Sequence, residues 1–476
     1  MIAEDFAALF PIIMLSAVAV LVMLEIAVRR SHTVAAVTTC VGLVATICSF
    51  AFVSDVVPRQ VTPLLIMDGY SVFFMLLVLA TALVVTLLSY SYLSYRSGQN
   101  EEYYLILLLA TLGAMVLSAS THFASFFIGL EILSVSLYAL VAYTRKQWRS
   151  IEAGIKYLIL SGASDAFLLF GMALVYSQTG ELRFAGIAQS ALLGSPAIMA
   201  VASCLLATGI GFKLSLVPFH LWTPDVYEGA PVPVTGFLAT ASKAAVFAVL
   251  FRYYLIIDVN AHAGLQTILT ILAAASMIAG NLLALLQPNV KRILAYSSIA
   301  HMGYVLVALL AGSTLGVQAA GYYLVAYCVT TIGAFGAISV FSTGERDLDR
   351  LDDYGGLGWS RPWVGGVLAA MLLSLAGIPL TGGFIGKFYV LTAGVGSSLW
   401  WLVLILVLTS AIGLFYYLRI IITLYSSPKS GQIPLPAKPS FVDNVVLALL
   451  AILLVWLGVW PLSLMRFMEM TVLAGL

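Results

Sequence analysis

The feature that most limits what this chain can become is a succession of apolar runs, each about 20 residues long, separated by short polar or Gly/Pro breaks. A helix of that length spans the hydrocarbon core of a bilayer, roughly 30 Å at about 1.5 Å per residue. The runs place membrane spans near residues 6–28, 33–54, 69–94, 103–120, 122–143, 153–176, 197–227, 231–257, 264–286, 290–310, 315–342, 362–395, 398–425 and 441–465. Only 9% of residues are charged and 62% are hydrophobic, whereas a soluble domain carries about a quarter charged residues. Barrel strands would show short alternating segments of about ten residues, which are absent. The expected fold is an all-α polytopic membrane protein with about 14 transmembrane helices.

The opening stretch "MIAEDFAALF" carries acids rather than a basic n-region, and its apolar run continues to Ala27. That predicts a first span rather than a cleaved signal peptide. Cys40, Cys48, Cys204 and Cys328 are scattered with no CxxC pair, so no zinc site, iron–sulfur cluster or disulfide framework is expected. A net charge of +1 gives no hint of a nucleic-acid partner.

Orientation follows from the basic residues in the loops. Arg29, Arg30, Arg96, Arg145, Lys146, Arg149, Lys291, Arg292, Arg346, Arg350, Arg361, Lys429 and Lys438 fall on one side, against Arg59, Arg183 and Arg466 on the other. The bias predicts both termini on the outer, periplasmic side of a bacterial inner membrane. The remaining basic residues lie within spans: Lys156, Lys213, Lys243, Arg252, Lys387 and Arg419.

Arg252 and Arg419 lie within about two turns of helix ends, where snorkelling to the headgroups would satisfy them. Lys156 lies near the inner end of its span. Glu131, Lys213 and Lys243 sit close to span midpoints, roughly 15 Å from either end, beyond the reach of a side chain. Lys387 lies between the midplane and the outer face. A central charge costs roughly 2.5–3.5 kcal/mol, so four cost on the order of 10 kcal/mol, comparable to the stability of a domain. Such charges must be paired, hydrated, neutralised or useful. A buried ammonium with a carboxylate partner that approaches and retreats can take up and drop a proton.

Polar side chains accompany these charges. Ser134 and Tyr138 follow Glu131 at i+3 and i+7, and His301 has Ser297, Ser298 and Tyr304 at helical spacing. Tyr323, Tyr327 and Thr330 share a face of another span. They fit either a relay for protons or hydrogen bonding between helices. His220 is a weaker relay candidate. Asp165 lies nine residues after Lys156, about half a turn out of phase, so the two do not pair within the helix, and Asp165 has no evident role.

Two spans are interrupted, one by Pro218 with Pro224 beyond it, the other by "LAGIPLTGGFIGK" at 375–387. Broken helices at membrane depth are tolerated only inside protein or beside water, and two of them five spans apart suggest an internal repeat. Helices 4–8 (residues 101–260) and 9–13 (261–427) would then be two five-helix units of inverted topology. Helices 1–3 (1–100) would precede them and helix 14 (428–476) would follow.

The stretch "GFKLSLVPFHLWTPDVYEGAPVPVTGFLATASKAA" at 211–245 resembles the antiporter-like membrane subunits of respiratory complex I, above all the subunit N group. "FIGLEILSVSLYAL" (127–140), "IKYLILSGASDAFLLFG" (155–171), "KRILAYSSIAHMGY" (291–304) and "GIPLTGGFIGKFYV" (377–390) extend the likeness. It implies that Glu131 is the helix-5 glutamate paired with the helix-7 lysine, Lys213. Lys156 would be the helix-6 lysine, Lys243 the bridging helix-8 lysine and Lys387 the output lysine of helix 12. A lysine at 387 is nearer to subunit N than to subunit M, and Asp165 is outside the family pattern. The implied function is proton translocation in an NADH:quinone oxidoreductase. This chain would bind no cofactor; NADH, FMN, iron–sulfur clusters and quinone would be held by other subunits. Partners would be a neighbouring antiporter-like subunit and small membrane subunits. A subunit of a multisubunit sodium/proton antiporter, or a structural subunit with no proton path of its own, are the alternatives.

Overall fold

The computed structural model describes residues 2–53, 55–96, 98–190, 194–257, 263–342, 347–427 and 439–471. Arg346, Lys429 and Lys438, which entered the charge-bias argument, lie outside the described residues. The chain opens with α1 (Ala3–Ala8), α2 (Phe10–Val28) and α3 (His32–Ser49), then a two-stranded antiparallel ribbon of β1 (Arg59–Gln60) and β2 (Ile66–Met67), then α4 (Gly69–Ser94). Next come α5 (Glu101–Ala119), α6 (Phe123–Val141), α7 (Trp148–Thr179), α8 (Phe184–Ser190), α9 (Pro196–Lys213), α10 (Trp222–Gly229), α11 (Val232–Ala239) and α12 (Ala241–Ile256). The second half holds α13 (Ala263–Leu285), α14 (Val290–Leu310), α15 (Thr314–Phe341), α16 (Leu357–Ser360), α17 (Pro362–Ala376), α18 (Gly382–Gly396) and α19 (Trp400–Tyr425). It closes with α20 (Phe441–Val459) and α21 (Leu462–Thr471).

Among the described residues, 13 helical segments are long and apolar enough to cross a membrane, counting α11 and α12 as one. The remaining expected span is divided into α17 and α18, of 15 residues each. Local chemistry sets many of the ends. Asp68 caps α4 by accepting the Ser71 amide at 2.7 Å, and Asn289 and Ser313 cap α14 and α15 in the same way. Gly377, with φ of +87°, ends α17 in the left-handed conformation that glycine adopts without strain.

Burial sorts the helices. The most apolar windows of α11–α12 and of α14 are wholly buried, whereas that of α2 is 28% buried. The outer helices present large apolar side chains such as Ile159, Phe170, Trp401 and Ile452, as expected where the solvent is lipid. Water does not drive helix association in such surroundings, so close backbone approach matters. A Cβ on Gly113 would stand 2.5 Å from the Leu133 amide nitrogen, and one on Gly280 would stand 2.7 Å from that of Ala300. These glycines let α5 meet α6 and α13 meet α14.

Two ion-pair clusters fasten the buried helices. Arg252 does not snorkel to the headgroups as the sequence suggested. It is buried, donates to both Asp68 carboxylate oxygens at 2.6 and 2.9 Å, and lies over the Tyr70 ring. The partner that makes this possible is 184 residues away in the chain. Arg419 likewise reaches the carbonyls of Leu285 and Gln287 past the end of α13. The second cluster centres on Asp347, in the loop after α15. Its carboxylate accepts from Lys291 at 2.9 Å, from Arg96 at 2.5 Å and from the Tyr92 hydroxyl at 2.9 Å, so one loop side chain fastens α4 to the start of α14.

Burial works against ionisation of Asp347, but Lys291 and Arg96 more than offset it and hold its carboxyl below the usual range. The stability gained is present above the unfolded carboxylate value of about 3.9 and is lost as pH falls through the lowered folded value. Asp347→Asn takes a counter-charge from buried Arg96 and from Lys291, which keeps Asp349 at 3.3 Å, and is expected to cost about 3 kcal/mol at pH 7. Thermal unfolding of the purified protein would show a lower midpoint, with the difference from wild type closing as the pH drops below about 4. Equal midpoints at pH 7 would contradict this role.

Candidate functional site

The site begins where α9 stops. Lys213 is the last residue of α9, and Ser215 follows with φ of +62° as the chain turns toward α10. The Lys213 side chain is 4% exposed. Its ammonium donates to Ser134 on α6 at 2.8 Å, to Ser161 on α7 at 2.7 Å, and to Asp165 Oδ2 at 3.0 Å, with Oδ1 at 2.8 Å. The direct counter-ion of Lys213 is therefore Asp165 and not Glu131, contrary to the pairing expected from the family resemblance. The reason is geometric: α7 packs along α9 and presents Ser161 and Asp165, one turn apart, to the end of that helix. Glu131, one turn before Ser134 on α6, is half-buried, and its enclosed Oε1 has no hydrogen-bond partner among the described residues.

The middle of the site is carried by wholly buried helices. The expected span at 231–257 is interrupted at Thr240, whose φ and ψ of −119° and −81° separate α11 from α12. Lys243 lies in the first turn after this interruption. Its ammonium donates to Ser298 Oγ on α14 at 2.7 Å and lies 5.7 Å from the centre of the Tyr227 ring. Ser298 Oγ also accepts from the Tyr327 hydroxyl at 2.7 Å. Nearly one turn along α14, His301 Nδ1 shares a hydrogen bond with Tyr323 at 2.7 Å, and Nε2 one with Tyr417 at 3.1 Å. Tyr417 in turn bonds Ser297. Lys243, Ser298, Ser297, His301 and the four tyrosines form one polar cluster inside the bundle.

Lys387, on α18, reaches back across the second break. Its ammonium donates to the Leu375 and Ala376 carbonyls at the end of α17, both at 2.9 Å, and to Ser410 on α19 at 2.8 Å. A helix C-terminus carries partial negative charge and unsatisfied carbonyls, so this broken end solvates an ammonium without a carboxylate. The Tyr304 ring stands 5.4 Å from the Lys387 ammonium, and its centre is also 5.4 Å from that of the His301 ring. Tyr304 thus separates the His301 cluster from Lys387.

Lys156 and His220 are placed differently. Lys156 is 43% exposed and pairs with Glu152 at 2.8 Å and Asp225 at 2.9 Å. Asp225 also holds Arg292, which continues to Glu228. Lys156 therefore belongs to a charged network around the start of α14 and not to the buried row. His220 is buried beside Tyr296 in the α9–α10 break, and neither ring nitrogen has a hydrogen-bond partner among the described residues. Among the described residues no group of three or more His, Cys, Asp or Glu is arranged to hold a metal ion.

The family description "NADH:quinone oxidoreductase/Mrp antiporter, TM" matches residues 120–413, a stretch that contains Glu131, Lys213, Lys243, His301 and Lys387. The NADH-quinone oxidoreductase subunit N of Ectopseudomonas mendocina is 48% identical over all of this chain and 98% of its own length. The chain belongs to the NADH:quinone oxidoreductase/Mrp antiporter family of membrane subunits, in its subunit N group. A chain of respiratory complex I from Thermus thermophilus has the same fold, with a TM-score of 0.83 and 34% identity over 96% of this chain and 98% of that one. A chain of an archaeal membrane-bound sulfane sulfur reductase gives 0.86 at 27% identity, over 98% and 96%. One from the Mrp complex of Dietzia sp. DQ12-45-1b gives 0.86 at 20%, over 98% and 96%, and shows the shared fold.

In this antiporter-like subunit the sequence pointed to the charges but missed much of what surrounds them. Ser161, Ser410 and Tyr417 carry no signal of their own, because serine and tyrosine are common in membrane helices. Asp165 did carry one, since an acid near the middle of a span is rare; its partner could not be read without knowing that α7 packs on α9. One prediction follows from the role of Ser298 as acceptor for both Lys243 and Tyr327. Ser298→Ala removes the only side-chain acceptor that Lys243 has among the described residues, and is expected to destabilise the protein by about 1–3 kcal/mol. A lower unfolding midpoint in detergent would show this, and an unchanged midpoint would mean that Lys243 finds another acceptor at no cost.

Proposed function

We propose that this chain is the subunit N of an NADH:quinone oxidoreductase and moves protons from the cytoplasmic to the outer side of a bacterial inner membrane. Lys213 takes up a proton from the inner side, with Lys156 and its acidic partners at the entrance. The proton passes by way of Lys243, Ser298 and His301, with intervening water, toward Lys387 and outward. Electron transfer in other subunits, which hold NADH, FMN, iron–sulfur clusters and quinone, supplies the energy. On this reading the chain is a non-redox part of a translocase. It works beside a neighbouring antiporter-like subunit and small membrane subunits, with both termini on the periplasmic side. Helices 4–8 and 9–13 act as two inverted halves, each supplying a broken helix with a lysine at the break.

The observation that carries the reading is that, among the described residues, Lys243 and Lys387 are buried without any carboxylate partner. A lysine that only held helices together would gain most from an ion pair. One solvated by a hydroxyl, or by the end of a helix, is free to lose its proton without leaving a buried anion behind. The identity to a subunit N, 48% against 20% for the Mrp chain, favours this reading over a sodium/proton antiporter.

The test is NADH-driven proton uptake into vesicles containing the purified complex, wild type against Lys213→Ala. The variant is expected to lose roughly 10²-fold or more in both pumping and electron transfer, the scale of removing one proton-transfer group. Pumping and NADH oxidation at the wild-type level would overturn the proposal and leave Lys213 a structural residue.

A further inference from the structure

The polar cluster around Lys243 ends at His301. Both nitrogens of that ring are engaged, with Tyr323 and Tyr417, and the Lys387 ammonium is engaged with the carbonyls of Leu375 and Ala376 and with Ser410. The ring of Tyr304 stands between the two, its centre 5.4 Å from that of His301 and 5.4 Å from the ammonium. An ammonium at that distance is drawn to the ring face.

The hydroxyl of Tyr304 is turned to a different helix. It accepts from Asn281 Nδ2 on α13 at 3.0 Å. Asn281 is buried, and its other contacts are fixed as well: Nδ2 also donates to the Met277 carbonyl at 2.8 Å, and Oδ1 accepts from the Tyr416 hydroxyl at 3.1 Å. A buried amide with both ends bonded is costly to displace. Helix α19 is shaped to receive it, because a Cβ on Gly413 would stand 3.0 Å from Asn281 Oδ1. The same helix presents Tyr416 to Asn281, Tyr417 to His301 and Ser410 to Lys387. Among the described residues Asn281 bonds neither His301 nor Lys387, so whatever it does to a proton path it does through Tyr304.

We infer that Asn281 is a positioning residue for proton transfer: it holds the Tyr304 hydroxyl and so keeps the ring between His301 and Lys387. This rests on the proton-translocating reading of the site. While the bond is made, the ring excludes water from the gap, and protons from the outer side do not run back to the His301 cluster. When the bond opens, the ring moves aside and water joins the two sites. Tyr304 keeps its own proton throughout; only its hydrogen bond to Asn281 is broken and remade. Loss of that bond, about 1.4 kcal/mol, raises the share of displaced ring by about tenfold.

The test uses the intact complex in sealed vesicles. Protons moved per electron are measured as the opposing pH gradient grows, for wild type, Asn281→Ala, Tyr304→Phe and the double variant. Tyr304→Phe keeps the ring and removes only the hydroxyl. Backflow, read as the fall in this ratio at high gradient, is expected to rise by about tenfold in each single variant. Since Asn281 acts through that hydroxyl, the double variant should show no more backflow than either single one. An amide that merely held α13, α14 and α19 together would lower the amount of assembled complex and leave the ratio unchanged in what assembles.

A wild-type ratio at every gradient in either assembled single variant would overturn the inference, as would backflow in the double variant equal to the product of the single effects. An assembled variant in which electron transfer stops would also overturn it, because a loosened ring opens the path and does not close it. If Asn281→Ala is missing from the complex on a native gel, Tyr304→Phe decides alone: backflow supports the inference, and a wild-type ratio overturns it. Lys213→Ala serves as the control for the underlying reading. If that variant has lost pumping while the ratio is unchanged in the Asn281 and Tyr304 variants, only the inference fails. If Lys213→Ala pumps normally, the translocation reading itself fails.

Discussion

An ammonium group held at membrane depth must be solvated by the protein, and the rest of this structure is arranged around that requirement. The three central lysines meet it in three ways. Lys213 uses a carboxylate and two serines, Lys243 a serine beside an aromatic ring, and Lys387 the open carbonyls of a helix end with a serine. Each solution needs an irregularity in a helix that would otherwise be continuous: the end of α9, the interruption at Thr240, and the α17–α18 break. At the α17–α18 break the open carbonyls themselves accept from Lys387, whereas Lys213 and Lys243 lie at their irregularities and bond side chains of neighbouring helices.

The three settings also differ in how the ammonium is solvated, a difference that would give the proposed path its direction. An ion pair favours the charged lysine most strongly, and a hydroxyl or carbonyl donor set favours it less. On the proposed path, a proton loaded at Lys213 would move on only if its counter-charge, Asp165, weakened its hold. Tyr304, between His301 and Lys387, interrupts the polar cluster before the outer lysine, so on the proposed path passage there would require water or a movement of the ring.

Much of this was legible in the sequence because membrane helices punish irregularity and charge. Runs of 20 apolar residues located the helices, and lysines near their midpoints located the site. Pro218 and the 375–387 stretch marked two breaks. What stayed hidden depended on which helices touch. Asp165 looked isolated because its partner is 48 positions away, and Arg252 looked like a snorkelling residue because Asp68 is 184 away. The interruption before Lys243 carried no proline or glycine at Thr240 to announce it. Lys156 was grouped with the buried charges by resemblance, but its side chain turns to the acids of α10 and of its own helix.

The central question is whether Lys243, which has no ionic partner among the described residues, carries protons. The direct measurement is the number of protons moved per electron by the complex carrying Lys243→Met, an uncharged side chain of similar reach, in sealed vesicles. The account predicts a ratio well below wild type, or electron transfer arrested together with pumping, in a complex that is fully assembled. A wild-type ratio at a wild-type rate would contradict it, because the path through this subunit would then not need Lys243.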